Sequence, residues 1–158
     1  MPATPVYFQH FDACQLDLAR GKDGLYFNLE TDALALYFSN AAPNFTTHAV
    51  KADLAEIAVK NGYPGMIDIV TTSRAMYQNT FRIVANDVLL TGTAANDGTG
   101  FGPFQYINLL SKTSNATDSQ RRLIGCWVYP STVTVPNGGI FNLDFSSVDG
   151  MYRTQNIQ

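Results

Sequence analysis

Hydrophobic and polar residues alternate through the second half of the chain in short runs separated by turn chemistry. In Ile140-Phe141-Asn142-Leu143-Asp144-Phe145, Phe141, Leu143 and Phe145 fall on one face and Asn142 and Asp144 on the other, the two-residue period of a half-buried strand. Pro136-Asn137-Gly138-Gly139 precedes this run. Because Asn-Gly accepts the positive φ of a tight turn, the pattern predicts an antiparallel hairpin between residues 133–135 and 140–145. Further strand-like runs occupy residues 25–29, 33–38, 66–71, 77–84, 88–91, 104–110, 123–129 and 132–135. In 33–38, Leu34, Leu36 and Phe38 share a face, and in 77–84 Phe81 and Ile83 lie opposite Arg82 and Val84.

Helical signals are few. Residues 11–20 form a short helix on this reading, with Phe11, Cys14, Gln15 and Leu18 on one side and Gly21 and Asp23-Gly24 as the stop. Residues 49–60 contain good helix formers and predict one or two turns inside a long connection. Dense turn chemistry follows at Asn61-Gly62-Tyr63-Pro64-Gly65. About eight or nine short strands with turns every ~8 to 12 residues imply an all-β fold, an antiparallel β-sandwich of jelly-roll-like or immunoglobulin-like kind with one or two short helices. No internal repeat points to a propeller or solenoid. The expected organisation is an N-terminal arm and short helix (1–24), a sandwich domain (25–150) and a C-terminal tail (151–158) without core signal. Phe141, Leu143 and Phe145 should enter the core with Trp127 or its strand neighbours Ile124, Cys126 and Val128, and Trp127 is expected inside.

A chain of 158 residues suits one domain, which at this size buries roughly 70% of its unfolded surface. Hydrophobic residues are 46% and charged residues 15%, a globular composition that leaves the surface to uncharged polar and aromatic side chains. The formal charge of −3 is carried by scattered groups, and only Arg121-Arg122 place two cations side by side. Without a basic stripe, nucleic acid is not expected as a partner. Residues 1–8 lack a basic and an apolar leader region, and no apolar run approaches the ~20 residues that span a bilayer, so no membrane partner is expected. Cys14 and Cys126 read as two small buried hydrophobes rather than a disulfide. Asn44-Phe45-Thr46 and Asn115-Ala116-Thr117 match the glycosylation sequon, but with no leader they read as chance.

Candidate chemistry is sparse. His10 and His48 stand in no metal-ligand or nucleophile spacing, and no Gly-x-Ser-x-Gly elbow accompanies them. Gly98-Thr99-Gly100-Phe101-Gly102 resembles a phosphate cradle only superficially: its third glycine comes one residue early and Pro103 leads into a strand rather than a helix. The carboxylate pairs Asp53/Glu56 and Asp144/Asp149 read as solvated surface rather than as a glycosidase pair. Neither catalysis nor a cofactor nor a metal is expected. Aromatic residues are the remaining resource. Phe81, Phe104, Trp127, Phe141 and Phe145 are candidates for the core, whereas Tyr7, Phe8, Tyr26, Tyr37 and Tyr152 are candidates for a surface that meets a protein or a sugar. The two prolines of residues 1–8 disfavour helix and make that segment an extended arm or edge strand. Pro2, Pro5, Val6, Tyr7, Phe8 and Tyr152 are therefore the candidate interface residues.

The stretches Asp32-Ala33-Leu34-Ala35-Leu36, Ala52-Asp53-Leu54-Ala55-Glu56-Ile57-Ala58 and Asn61-Gly62-Tyr63 resemble a group of small structural proteins encoded in tailed-bacteriophage genomes. The resemblance continues through Gly102-Pro103-Phe104-Gln105-Tyr106-Ile107, Leu123-Ile124-Gly125-Cys126-Trp127-Val128-Tyr129 and the strand after Gly138, covering roughly residues 25 to 150. The chain departs from the group at Pro64-Gly65 and in its longer N-terminal segment. The resemblance implies a non-enzymatic virion component made in the host cytoplasm, in particular a decoration or cement protein on the outer head surface that contacts the major capsid protein and further copies of itself in a small homo-oligomer such as a trimer. A neck, tail or fibre module and a carbohydrate-binding β-sandwich module are the alternatives.

Overall fold

The computed structural model describes residues 7–20, 29–77, 80–113, 117–145 and 151–154. Pro2, Pro5, Val6, Tyr26, Asn115, Asp149 and the expected strand at 25–28 lie outside these residues. The described chain is mostly β, with antiparallel sheets in a sandwich-like arrangement. Its elements are β1 (Tyr7–His10), α1 (Asp12–Arg20), β2 (Leu34–Ser39), β3 (Ile67–Asp68), β4 (Thr71–Tyr77), β5 (Thr80–Ala85), β6 (Val88–Thr91), β7 (Phe101–Ser111), β8 (Leu123–Val135), β9 (Ile140–Leu143) and β10 (Tyr152–Thr154). The largest sheet has the order β1-β8-β7-β2-β3, and smaller sheets β10-β5-β4 and β6-β9 accompany it.

The five-stranded sheet is buried on both faces at β2, where every residue is buried. Leu34, Leu36 and Phe38 enter the main core with Ile83, Val88, Phe141, Leu143, Phe145 and Met151 from the smaller sheets. Ala35 and Tyr37 enter a second core with Phe11, Leu54, Leu110, Leu123 and Cys126. The main core is built around aromatic rings: Phe104 lies 4.4 Å from Phe38 and 5.2 Å from Phe141, and Phe38 stacks on Tyr63 at 4.9 Å. Such tilted and edge-on pairs add to the area that they bury.

Two irregularities settle the faces of β8. Leu109 pairs with Gly125 but Leu110 with Leu123, so a bulge at Ile124 resets the alternation. Ile124, Trp127 and Tyr129 then share the main core while Leu123 and Cys126 face the second. Between the pairs Phe104↔Val133 and Tyr106↔Val128 the strand carries extra residues, and the exposed Pro130 sits among them. There its missing N–H costs no ladder bond. The two expected runs at 123–129 and 132–135 are thus one strand.

Several expectations are corrected. Residues 136–139 do form a tight turn, with the Gly139 N–H donating to the Pro136 carbonyl at 2.8 Å and Gly138 at φ 75°. However, β9 pairs with β6, not with the end of β8, and Val135 pairs with Phe101. The turn carries the chain between sheets instead of closing a hairpin. Residues 49–60 do contain a short helical turn, of 3₁₀ type, at Lys51–Asp53, where Asp53 Oδ2 accepts from the N–H groups of Ala49 (2.7 Å) and Val50 (3.0 Å). Of the tyrosines that could line either a surface or the core, Tyr37 is fully buried. Met151 is buried, and after it β10 pairs with β5. The N-terminal segment is likewise built in: Phe11 and Cys14 are buried, and Arg122 of the sheet region grips Asp17 of α1 at 2.9 Å.

Candidate protein interface

Tyr7 and Phe8 point to opposite sides of β1, as successive strand residues must. Phe8 turns inward, its ring 4.5 Å from Trp127 and 5.1 Å from His10, and it packs against the main core. It anchors the strand instead of offering a contact surface. Tyr7 is 48% exposed and pairs across the sheet with Val128, which in turn pairs with Tyr106. Cross-strand partners on one face have Cβ atoms about 5 Å apart. Tyr7, Val128 and Tyr106 therefore form a row across three strands, outermost at Tyr7 and half-buried at the other two.

This row ends at an open sheet edge. Among the described residues β1 pairs with β8 on one side only, so its other side presents backbone N–H and C=O groups able to accept an added strand. Pro2, Pro5 and Val6, the other N-terminal candidates, precede β1 in the sequence and lie outside the described residues. Tyr152 begins β10 and pairs with Ile83 in the three-stranded sheet, so Tyr152 and Tyr7 belong to different sheets. Val128 and Tyr106 were not legible as interface residues, because both strands read simply as core runs.

The polar clusters elsewhere are internally matched. Lys51 Nζ lies 2.5 Å from Asp118 and 2.9 Å from Glu56, and 5.5 Å above the Tyr37 ring. Burial alone would lower its pKa, but the hydrogen bonds to the two carboxylates outweigh it and hold the ammonium above its ordinary value. The cation is satisfied by its own chain, and Glu56 also accepts from the Tyr63 hydroxyl at 2.6 Å. In the glycine-rich loop, Asp97 accepts from Lys60 at 2.8 Å, from Thr99 Oγ1 at 2.6 Å and from the Thr99 N–H at 3.1 Å, and also from the Asn61 amide. A carboxylate thus occupies the place a phosphate would take, and these contacts hold it far below the usual carboxylate range, led by the Lys60 bond.

The histidines are apart. Burial holds His10 below its ordinary pKa, whereas His48 Nδ1 accepts from the Asn44 N–H at 3.1 Å in an exposed loop. Among the described residues no three His, Cys, Asp or Glu side chains gather as metal ligands, and no helix is long and apolar enough to cross a membrane. Comparison with family models, curated proteins and solved structures finds no match to the chain.

Proposed function

We propose that the protein is a non-enzymatic virion structural protein, a decoration or cement protein bound to the outer surface of a tailed-phage head. Its partners on this reading are the major capsid protein and further copies of itself, in a small homo-oligomer such as a trimer, with assembly following synthesis in the host cytoplasm. The resemblance of residues 25 to 150 motivates the reading. The single structural observation that supports it is the open edge of β1, flanked by the Tyr7 row. An edge strand preceded by a proline-bearing segment suits strand addition to a neighbour, and tyrosine gives large contact area at low entropic cost. Many weak contacts repeated on a shell lattice hold through high effective concentration.

The test is add-back to purified shells that lack the protein. Full-length chain should bind and raise the temperature at which shells disrupt. A chain lacking residues 1–6, which keeps β1 whole, and Tyr7→Ser should both fold normally and bind more weakly. Binding to tails in place of heads moves the assignment to a neck, tail or fibre module. Binding to host glycans, with none to shells, moves it to a carbohydrate-binding module, which the Tyr7 and Tyr106 rings would also suit.

A further inference from the structure

One row of the second core is polar where apolar side chains would be expected. Tyr37 on β2 pairs with Asn108 on β7, and Asn108 pairs with Cys126 on β8, so the three side chains lie side by side on one sheet face. Tyr37, Asn108 and Cys126 are each 0% exposed. Among the described residues no donor or acceptor reaches Asn108 Oδ1, Asn108 Nδ2 or Tyr37 Oη. Leaving such atoms bare forfeits the hydration they would have in water, and buried polar side-chain atoms in folded proteins nearly always have a partner.

We propose that Asn108 and Tyr37 form an internal water-binding site in the second core. A buried water makes about three hydrogen bonds to groups that the protein leaves unpaired. Asn108 supplies two N–H donors and a carbonyl, and Tyr37 a hydroxyl that both donates and accepts. Room comes from the composition of this core: of its smallest members, Cys126 lies directly across from Asn108 and Ala35 lies diagonally, opposite Leu110. Larger polar ligands are disfavoured because Tyr37, Asn108 and Cys126 leave no surface open to solvent.

Water–protein nuclear Overhauser measurements on the unmodified protein test the site directly, with oxygen-17 relaxation dispersion to count long-lived waters. The expected result is a cross-peak of water with the Asn108 side-chain amide protons and at least one long-lived water. Asn108→Leu should remove that water and Tyr37→Phe should weaken its signal. If Asn108→Leu fails to fold, the wild-type cross-peak and Tyr37→Phe decide. Asn108 amide protons that see only protein protons, or a long-lived water count unchanged in Asn108→Leu, would overturn the proposal. So would a rise in melting temperature in Asn108→Leu without any loss of water signal, since that is the behaviour of a dry, unpaired amide.

Discussion

Phe8 lies across Gly125: a Cβ placed on Gly125 would come within 2.2 Å of the Phe8 ring and 2.9 Å of the Gln9 carbonyl. Gly125 faces His10 in the pairing of β1 with β8, so the absent side chain lets the phenyl ring close the main core over the sheet edge. An aromatic ring packed over a strand glycine restores contact area that the glycine lacks. Gly125→Ala should therefore cost about 1–3 kcal/mol through overpacking. Hydrogen exchange should show lost protection concentrated in residues 7–10, with β2 and β7 little changed. Uniform loss of protection, or none, would contradict the placement of Phe8.

Phe145 packs 5.9 Å from Trp127 and is 6% exposed. Its N–H donates to Asp87 Oδ1 at 2.8 Å, which fixes the chain as it leaves β9. Truncation to Ala should cost about 3 to 5 kcal/mol in denaturant unfolding and shift the fluorescence of the single tryptophan. A loss under about 1 kcal/mol would place the ring outside the core.

The alternation in residues 140–145 gave its buried face correctly, since a period of two needs no knowledge of the partner strand. What that period cannot encode is pairing. The Asn137-Gly138 turn is real, but Gly138 donates its N–H to the Gly92 carbonyl at 2.8 Å, and this long-range bond steers the chain to β6. β4 escaped notice because Thr71-Thr72-Ser73-Arg74-Ala75-Met76 is polar and half-exposed, so it carries no period. For Tyr37 the phenol left surface and core both open, and β2, buried on both sides, decides for the core. In the candidate interface, Tyr7 and Phe8 were legible from composition near an extended end, whereas which of the two turns inward follows only from the β1–β8 register.

The Tyr63 hydroxyl donates to Glu56 Oε1 at 2.6 Å and accepts from the buried Phe38 N–H at 3.0 Å. It thereby ties the connection around residues 56–63 to β2, assisted by the Ile57 N–H on the Phe38 carbonyl at 2.9 Å. Tyr63→Phe keeps the ring stack on Phe38 and removes only the hydroxyl, leaving the Phe38 N–H unpaired. The expected loss is about 1–3 kcal/mol. Glu56→Gln, which retains an acceptor, should cost less. Equal losses for the two variants would mean that the carboxylate, and not the bond to Phe38, carries the effect.

Burial pushes both thiols, Cys14 and Cys126, up from 9.0 to about 12, and both are free and buried. A thiol reagent at neutral pH should label neither in the native protein and both after denaturation, since the thiolate is the reacting species and neither group forms it or meets solvent. The sign of the linked pH effect follows. Between the unfolded pKa near 9 and the folded value near 12 the unfolded chain releases thiol protons that the native chain keeps. Native stability is therefore fully present below pH 9 and declines as pH rises through this window. Tyr129, raised by burial to about 12, adds to the decline above the ordinary tyrosine value of about 10. Urea unfolding at pH 8 and pH 10.5 measures this, with the midpoint expected lower at pH 10.5. Replacing both cysteines by Ala or Val should flatten the part of the slope that begins near pH 9 and leave the tyrosine part in place. An unchanged slope in that double variant would show that the thiols do not carry the alkaline loss.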